Sequence, residues 1–277
     1  MNILNRREFL GGAIAASTYF GLAPWQRAFA WCFWEKDRLP AGVTPNPVHT
    51  ANLDAADPRR RQNQFLPKTS PDANDFRFGS DATFTFFHLS DFHRSRPQMT
   101  DREKAFFAKA CEQYRPSLAL VTGDNVNLRC KELFESVATP LVKLFTDAQL
   151  PFAITFGNHD IEAIGEGWYT AAEQWAFYAK AGGRLFIDRH DASVPGGGVQ
   201  GIDVRDAAGA TKFRLCVIDS GDYGTKGYDS VRTPSVAWAR QTLKDGVPSL
   251  FFQHIIVPET RERFGRGLFR AAKEGEK

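Results

Sequence analysis

Residues 118–125 read Leu-Ala-Leu-Val-Thr-Gly-Asp-Asn, and residues 152–160 read Phe-Ala-Ile-Thr-Phe-Gly-Asn-His-Asp. Each is a short apolar run that ends on a glycine and then on oxygen and nitrogen ligands. Short runs bounded by turn residues are the signature of strands buried on both faces. Two further runs behave alike: Phe84 to Leu89 leads into Asp91-Phe92-His93, and Leu250 to Gln253 leads into His254. In an open α/β sheet, ligands gather in the crevice outside the carboxyl ends of the strands. Clusters far apart in the chain are therefore expected to meet at one place, with the layout of a dinuclear metal site.

The residue types fit that chemistry. Two cations about 3.5 to 4 Å apart need a small anionic ligand to bridge them, with further oxygen and imidazole donors around it. Asp124 suits the bridge, Asp91 and His93 suit one ion, and Asn158 and His254 suit the other. Gly123 and Gly157 let the backbone turn beside the metals where a Cβ would obstruct it. His159 is then free to face a substrate. Gly-Asp-Asn by itself is ordinary turn chemistry, and a lone His at a strand end is commonly structural. Four clusters in order, each behind a strand, carry the functional reading.

Asp-x-His, then Gly-Asp-Asn, then Gly-Asn-His-Asp, then a strand-borne His resembles the calcineurin-like metallophosphoesterases. The stretch Cys216-Val217-Ile218-Asp219-Ser220-Gly221, the segment Thr233-Pro234 to Leu243 with Trp238, and Phe251-Phe252-Gln253-His254 look closest to the branch related to purple acid phosphatases. The resemblance covers Thr83 to about Lys273. It implies an α/β fold, a four-layer α/β/β/α sandwich of two mixed sheets face to face with helices outside. It also implies phosphate-ester hydrolysis by a hydroxide bridging two divalent or trivalent ions, with Fe, Mn and Zn all compatible with the donor set. In that mechanism His159 gives a proton to the leaving oxygen, Asp160 orients its imidazole, and Asn125 positions the ester. The substrate implied is a small-molecule phosphate ester.

Two departures from the family pattern bear on the site. The purple enzymes place a metal-binding Tyr three residues after the bridging Asp, where Asn127 and Leu128 stand here, so their charge-transfer colour is not expected. The family also closes its site with a Gly-His-x-His motif on a following strand, and none occurs in these residues. The expectation is that the C-terminal strands are missing, with Arg261 to Arg270 forming a helix. A catalytically impaired phosphate-ester-binding module is the rival reading. A nuclease of the same superfamily fits less well, since it needs a basic groove with interleaved aromatics.

Asn5-Arg6-Arg7-Glu8-Phe9-Leu10, a weakly apolar stretch to Leu22, and Ala28-Phe29-Ala30 read as a twin-arginine export signal over residues 1–30. That predicts the export machinery as a partner and a periplasmic location. The apolar stretch, about 15 residues with several glycines, falls short of the roughly 20 needed to span a bilayer, so no stable membrane anchor is expected. Residues 31–80, rich in Pro, Asn, Asp and Arg, read as an extended arm or a disordered leader, and 81–277 as the catalytic domain.

The chain has 277 residues, 43% of them hydrophobic, enough for one sizeable core. Its formal net charge of +3 is partly the signal, and Arg59-Arg60-Arg61 reads as a solvated loop, so no nucleic-acid partner is expected. Of the four cysteines, Cys216 is predicted to be a buried thiol, while Cys111 and Cys130 are candidates for pairing. Thr100 to Glu103 is a capping box that should open a helix carrying Phe106, Phe107, Ala110, Cys111 and Tyr114. A second helix is predicted over Lys131 to Asp147, kinked or divided at Pro140. Trp168, Tyr169, Trp175 and Phe177 are placed on a third, within an insertion that ends in a hairpin turning at Ala207 to Gly209. His88, on a strand, is read as structural.

Overall fold

The computed structural model describes residues 56–69, 74–128, 131–161, 169–224 and 227–256. The predicted export signal, Cys130, Trp168 and the predicted helix from Arg261 to Arg270 lie outside the described residues. The element order is β1 (Phe76–Arg77), β2 (Phe86–Leu89), α1 (Asp101–Tyr114), β3 (Leu118–Thr122), α2 (Phe134–Asp147), β4 (Phe152–Thr155) and α3 (Ala171–Gly182). It continues with β5 (Gln200–Arg205), β6 (Thr211–Val217), β7 (Tyr223–Gly224), β8 (Gly227–Tyr228), α4 (Thr233–Thr242) and β9 (Ser249–Phe252). Among the described residues no helix is long and apolar enough to cross a membrane.

Two sheets form the centre. One holds β2, β3 and β4, all parallel; the other is mixed, in the order β1-β5-β6-β9, with β5 and β6 antiparallel and β9 parallel to β6. The expectation of two mixed sheets is thus corrected for the first, whose strands are joined by α1 and α2 as crossovers and so must run parallel. Alternation along β3 shows the layering. Leu118 and Leu120 pack with Ile202, Val204, Leu215 and Val217 of the second sheet, while Ala119 and Val121 pack with the helices on the other side. Val137, Leu141 and Phe145 of α2 and Trp175 and Tyr178 of α3 form that helical layer. On the outer face of the mixed sheet, Arg214 Nη1 donates to the Thr242 carbonyl at 3.0 Å and ties down the end of α4. The result is the expected four layers, α/β/β/α.

Local signals explain the helices, with two corrections. Thr100 and Glu103 form the predicted capping box at the start of α1. The third helix begins only at Ala171, because Thr170 and Glu173 form a second capping box there; Tyr169 precedes the helix. Pro140 does not divide α2, which runs through it from Phe134 to Asp147. Its cost is met by the buried face of Val137, Ala138, Leu141, Val142 and Phe145, and the carbonyl deprived of its partner, on Ser136, lies on the exposed side. The hairpin predicted at Ala207 to Gly209 joins β5 to β6, with Gly209 at φ +89°.

The described part of the arm, residues 56–69, reaches the core. Leu66 packs with Phe156 and Trp175. Arg59-Arg60-Arg61 is not a solvated loop: Arg60 is 3% and Arg61 0% exposed. Arg60 pairs with Asp222 and Arg61 with Asp219, two buried carboxylates that sequence distance concealed. Cys111 and Cys216 are free thiols, and burial pushes the Cys216 thiol up to about 11.

Candidate metal centre

Parallel pairing of β2, β3 and β4 sets their carboxyl ends side by side, and the loops continue in step beyond them. Asp91 N donates to Gly123 O at 3.0 Å, His93 N to Asp124 O at 2.8 Å, and Arg94 N to Asn125 O at 3.1 Å. The candidate ligand residues turn sharply to do this: Asp91, His93 and Asp124 have φ of +57°, +44° and +51°. Non-glycine residues in the left-handed region are uncommon and collect at functional sites, where surrounding structure holds them. Gly123 and Gly157 interlock beneath. A Cβ on Gly123 would lie 2.4 Å from Gly157 N, and one on Gly157 would lie 2.1 Å from Asp124 Oδ1. The sequence reading of both glycines rests on this close approach.

Asp91, His93, Asp124, Asn158, His159 and His254 all arrive at one place. Asp124 Oδ2 is the point of convergence, 3.2 Å from His254 Nε2, 3.4 Å from His93 Nε2 and 4.0 Å from His159 Nε2. Its other oxygen accepts from the His159 backbone N–H at 2.9 Å. Two groups of donors share this carboxylate, His93/Asp124/His159 and Asp91/Asp124/His254, and within each the ligand atoms lie within 4.8 Å of one another. The groups join Asp91 with His254 and His159 with His93, while Asp91 Oδ1 also lies 3.4 Å from His93 Nε2, the pair the sequence assigned to one ion. Asn158 Oδ1 lies 3.2 Å from His254 Nε2, beside the second group.

Burial alone would raise the Asp124 carboxyl, but a hydrogen bond from His254 and the charges of His254, His159 and His93 hold it well below the usual carboxylate range. Conversely, burial would lower the His254 imidazole, yet Asp124, with Asp91 and Asp160 behind it, pushes it up to about 9. His254 Nδ1 faces the carbonyl of Thr122 at 2.9 Å, which fixes Nε2 as the atom turned to the cluster. Carboxylate oxygens and imidazole nitrogens converging on one shared carboxylate suit a first-row divalent or trivalent cation, so this donor set fits a metal.

Asn125, expected to position the ester, and Asp160, expected to orient the His159 imidazole, both bond instead to the loops beneath the site. Asn125 is 0% exposed, and its amide donates to Thr155 O at 3.1 Å and to Asp160 Oδ2 at 3.3 Å, so it is buried under the site and not turned to an ester. Asp160 accepts from Val126 N at 3.0 Å and Gly157 N at 2.7 Å. It braces the loop that carries His159, where orientation of the imidazole was expected, because backbone N–H groups of that tight loop need a buried acceptor. Burial and the neighbouring Asp124 push its carboxyl up to about 6. His88 is structural as read, with Nε2 2.9 Å from Thr122 Oγ1 and its ring against Phe252.

Sequence reasoning missed a supporting layer. Arg61 Nη1 donates to Gly157 O at 2.7 Å, and Tyr223 Oη accepts from Asn158 Nδ2 at 2.8 Å. The sequence signal was the polar stretch Asp219-Ser-Gly-Asp-Tyr223 following an apolar strand, whose first residues entered the family resemblance but were given no role at the site.

A family model described as calcineurin-like phosphoesterase matches residues 84–258, more than half of the chain. No curated protein matches the chain.

Proposed function

The chain belongs to the calcineurin-like phosphoesterase family, and on that footing we propose that it hydrolyses a small-molecule phosphate ester at a dinuclear metal centre built on Asp124. The observation that carries the proposal is the sharing of one carboxylate by two donor groups. A single cation needs one such group, and a second converging on the same oxygen is what a bridged pair requires. In this reading Asp91, His93, Asp124, Asn158 and His254 hold the ions. When bound, these would activate water at neutral pH and neutralise charge on the phosphoryl oxygens.

The protein's own groups supply the rest. Left-handed backbone at Asp91, His93 and Asp124 fixes the carboxylate and imidazole directions before anything binds, so little reorganisation remains. Asp160 and Asn125, buried and hydrogen-bonded to each other and to the loops, keep the distance between the β3 and β4 ligand loops constant. His159, with its side chain 19% exposed, is the group we assign to the leaving oxygen, as proton donor or hydrogen-bond donor.

The test is hydrolysis of nitrophenyl phosphate and bis-nitrophenyl phosphate by the full chain after metals are stripped and Fe, Mn or Zn is restored. Turnover that survives chelation, or metal-loaded protein that hydrolyses neither ester, would reject the reading; the second result with tight metal binding would favour a binding module.

The site of action is proposed from the sequence of residues 5–10 and 28–30, which supports export to the periplasm by the twin-arginine route. A reporter fused after residue 40 tests this. Export that persists when Arg6→Lys and Arg7→Lys are combined, in a strain without that translocase, would reject it.

A further inference from the structure

Asn158 is the one proposed ligand whose two ends differ chemically: only Oδ1 can coordinate a cation, while the NH2 group can only donate. Something must turn the oxygen inward. On the inner side Oδ1 lies 3.2 Å from His254 Nε2, which is itself 3.2 Å from Asp124 Oδ2. On the outer side Nδ2 donates to the hydroxyl of Tyr223 at 2.8 Å. The amide is 3% exposed and Tyr223 9% exposed, so water has little access to either end.

Tyr223 is itself held from several directions. Its ring stacks on Tyr228 across the β7–β8 hairpin, with centroids 6.1 Å apart and planes 21° apart. Its backbone N–H donates to Asp222 Oδ1 at 2.6 Å. That carboxylate is anchored in turn by Arg60 Nη2 and by the backbone N–H of Arg61, each at 3.3 Å. A hydroxyl fixed this firmly can set the direction of the group bonded to it.

We propose that Tyr223 is a positioning residue for the metal centre, orienting the Asn158 amide so that its oxygen faces the cations; this rests on the reading of Asn158 as a ligand. Tyr223 is not a ligand itself, because its hydroxyl sits at the nitrogen end of the amide, away from the oxygen that turns to the cluster. It reaches the site from β7, a part of the chain unrelated to the positions of Asn127 and Leu128 after the bridging Asp.

The experiment uses the full chain with Tyr223→Phe, Asn158→Ala and the double variant, each titrated with Mn2+ or Zn2+ against a competing chelator. Removing the hydroxyl should weaken affinity about 10- to 100-fold, as loss of a ligand's outer partner typically does. In the Asn158→Ala background the same change should cost nothing further, which a merely structural role for Tyr223 would not produce. Loaded with Fe3+, the wild type should show no tyrosinate band in the visible. Three results would overturn the proposal: Asn158→Ala weakens binding while Tyr223→Phe does not, the two losses add in full, or a visible band is present and disappears with Tyr223→Phe. If Asn158→Ala leaves affinity unchanged, the assignment of Asn158 as a ligand fails, and the role of Tyr223 fails with it.

Discussion

Arg61 Nη1 donates to the carbonyl of Gly157 at 2.7 Å, so the N-terminal arm holds the residue that precedes a proposed metal ligand 97 positions away from it. The guanidinium is wholly buried, bonded twice to Asp219 Oδ1 at 3.2 and 3.0 Å and once to Gly221 O. Burial opposes its charge, but Asp219, Asp222 and Asp160 more than offset this and keep it protonated. An ion pair this deep adds little over an apolar pair, yet breaking it strands a charge. Arg61→Met should therefore lower unfolding free energy by about 3–5 kcal/mol in chemical denaturation. A loss below about 1 kcal/mol would show that the arm is dispensable to the fold.

Gly157→Ala should damage the centre without replacing any proposed ligand. The new Cβ would lie 2.1 Å from Asp124 Oδ1 and 2.4 Å from Asp124 N, and the second of these is backbone and cannot swing aside. We expect a loss of about 1–3 kcal/mol or more together with metal affinity. Gly209→Ala is the control, since its φ of +89° is strained but nothing lies within 4 Å. It should cost about 1–2 kcal/mol and leave metal binding intact. Equal effects of the two on metal affinity would argue against the interlocked loops.

The strand-end clusters were legible in the sequence because one physical rule, ligands beyond the carboxyl ends of parallel strands, turns local motifs into a shared place. Asp160 and Asn125 were misread because sequence adjacency to a ligand does not say which way a side chain points. The 3-10 turn at His159–Ile161 sends Asp160 inward, where it meets Val126 and Gly157. Arg61 was misread for a different reason. A basic run is normally solvated, and the acids that bury this one, Asp219 and Asp222, lie more than 150 positions further on, beyond the reach of any periodicity. The start of α3 was in fact encoded, by Thr170 and Glu173, but the aromatic residues before it drew the boundary too early.

Asp124→Asn isolates the proposed bridge. The amide is nearly isosteric, so the fold should survive, but it carries no charge to share between cations. Elemental analysis should show metal lost, and turnover should fall at least about 10²-fold, because bound metal supplies the activated water. Two ions retained with an unchanged rate would disprove the role of Asp124.

Acid stability should depend on a buried network outside the candidate ligand groups. Asp188 accepts from Thr69 N at 3.0 Å and Trp175 Nε1 at 3.3 Å, and also from Thr69 Oγ1 and His190 Nδ1, linking the arm to α3. Burial would raise its carboxyl, but the hydrogen bonds of His190 and Thr69 hold it well below the ordinary value of 3.8. A depressed carboxylate contributes stability that is complete above its unfolded pKa and disappears as pH falls through its folded one. Asp188→Asn should thus cost about 1.5–3 kcal/mol at pH 7. The gap from wild type should narrow as the pH is lowered from about 4 toward 2. Thermal melts across that range check the sign; a gap that widens in acid would contradict it.

His159→Ala decides between two places for one imidazole. Its Nε2 lies 4.0 Å from Asp124 Oδ2, close enough to fall in a donor group with His93, yet its loop position and exposure suit a leaving group. If it faces substrate, the variant keeps its full complement of metal and loses about 10² to 10⁴ in rate, the usual worth of a positioned acid. The loss should also shrink for esters whose leaving group needs no proton, such as nitrophenol, since a general acid matters in proportion to the basicity of the departing oxygen. If it is a ligand, metal stoichiometry falls and the rate loss is the same for good and poor leaving groups. Metal analysis and a leaving-group series on the same preparation therefore assign His159 without reference to any other residue.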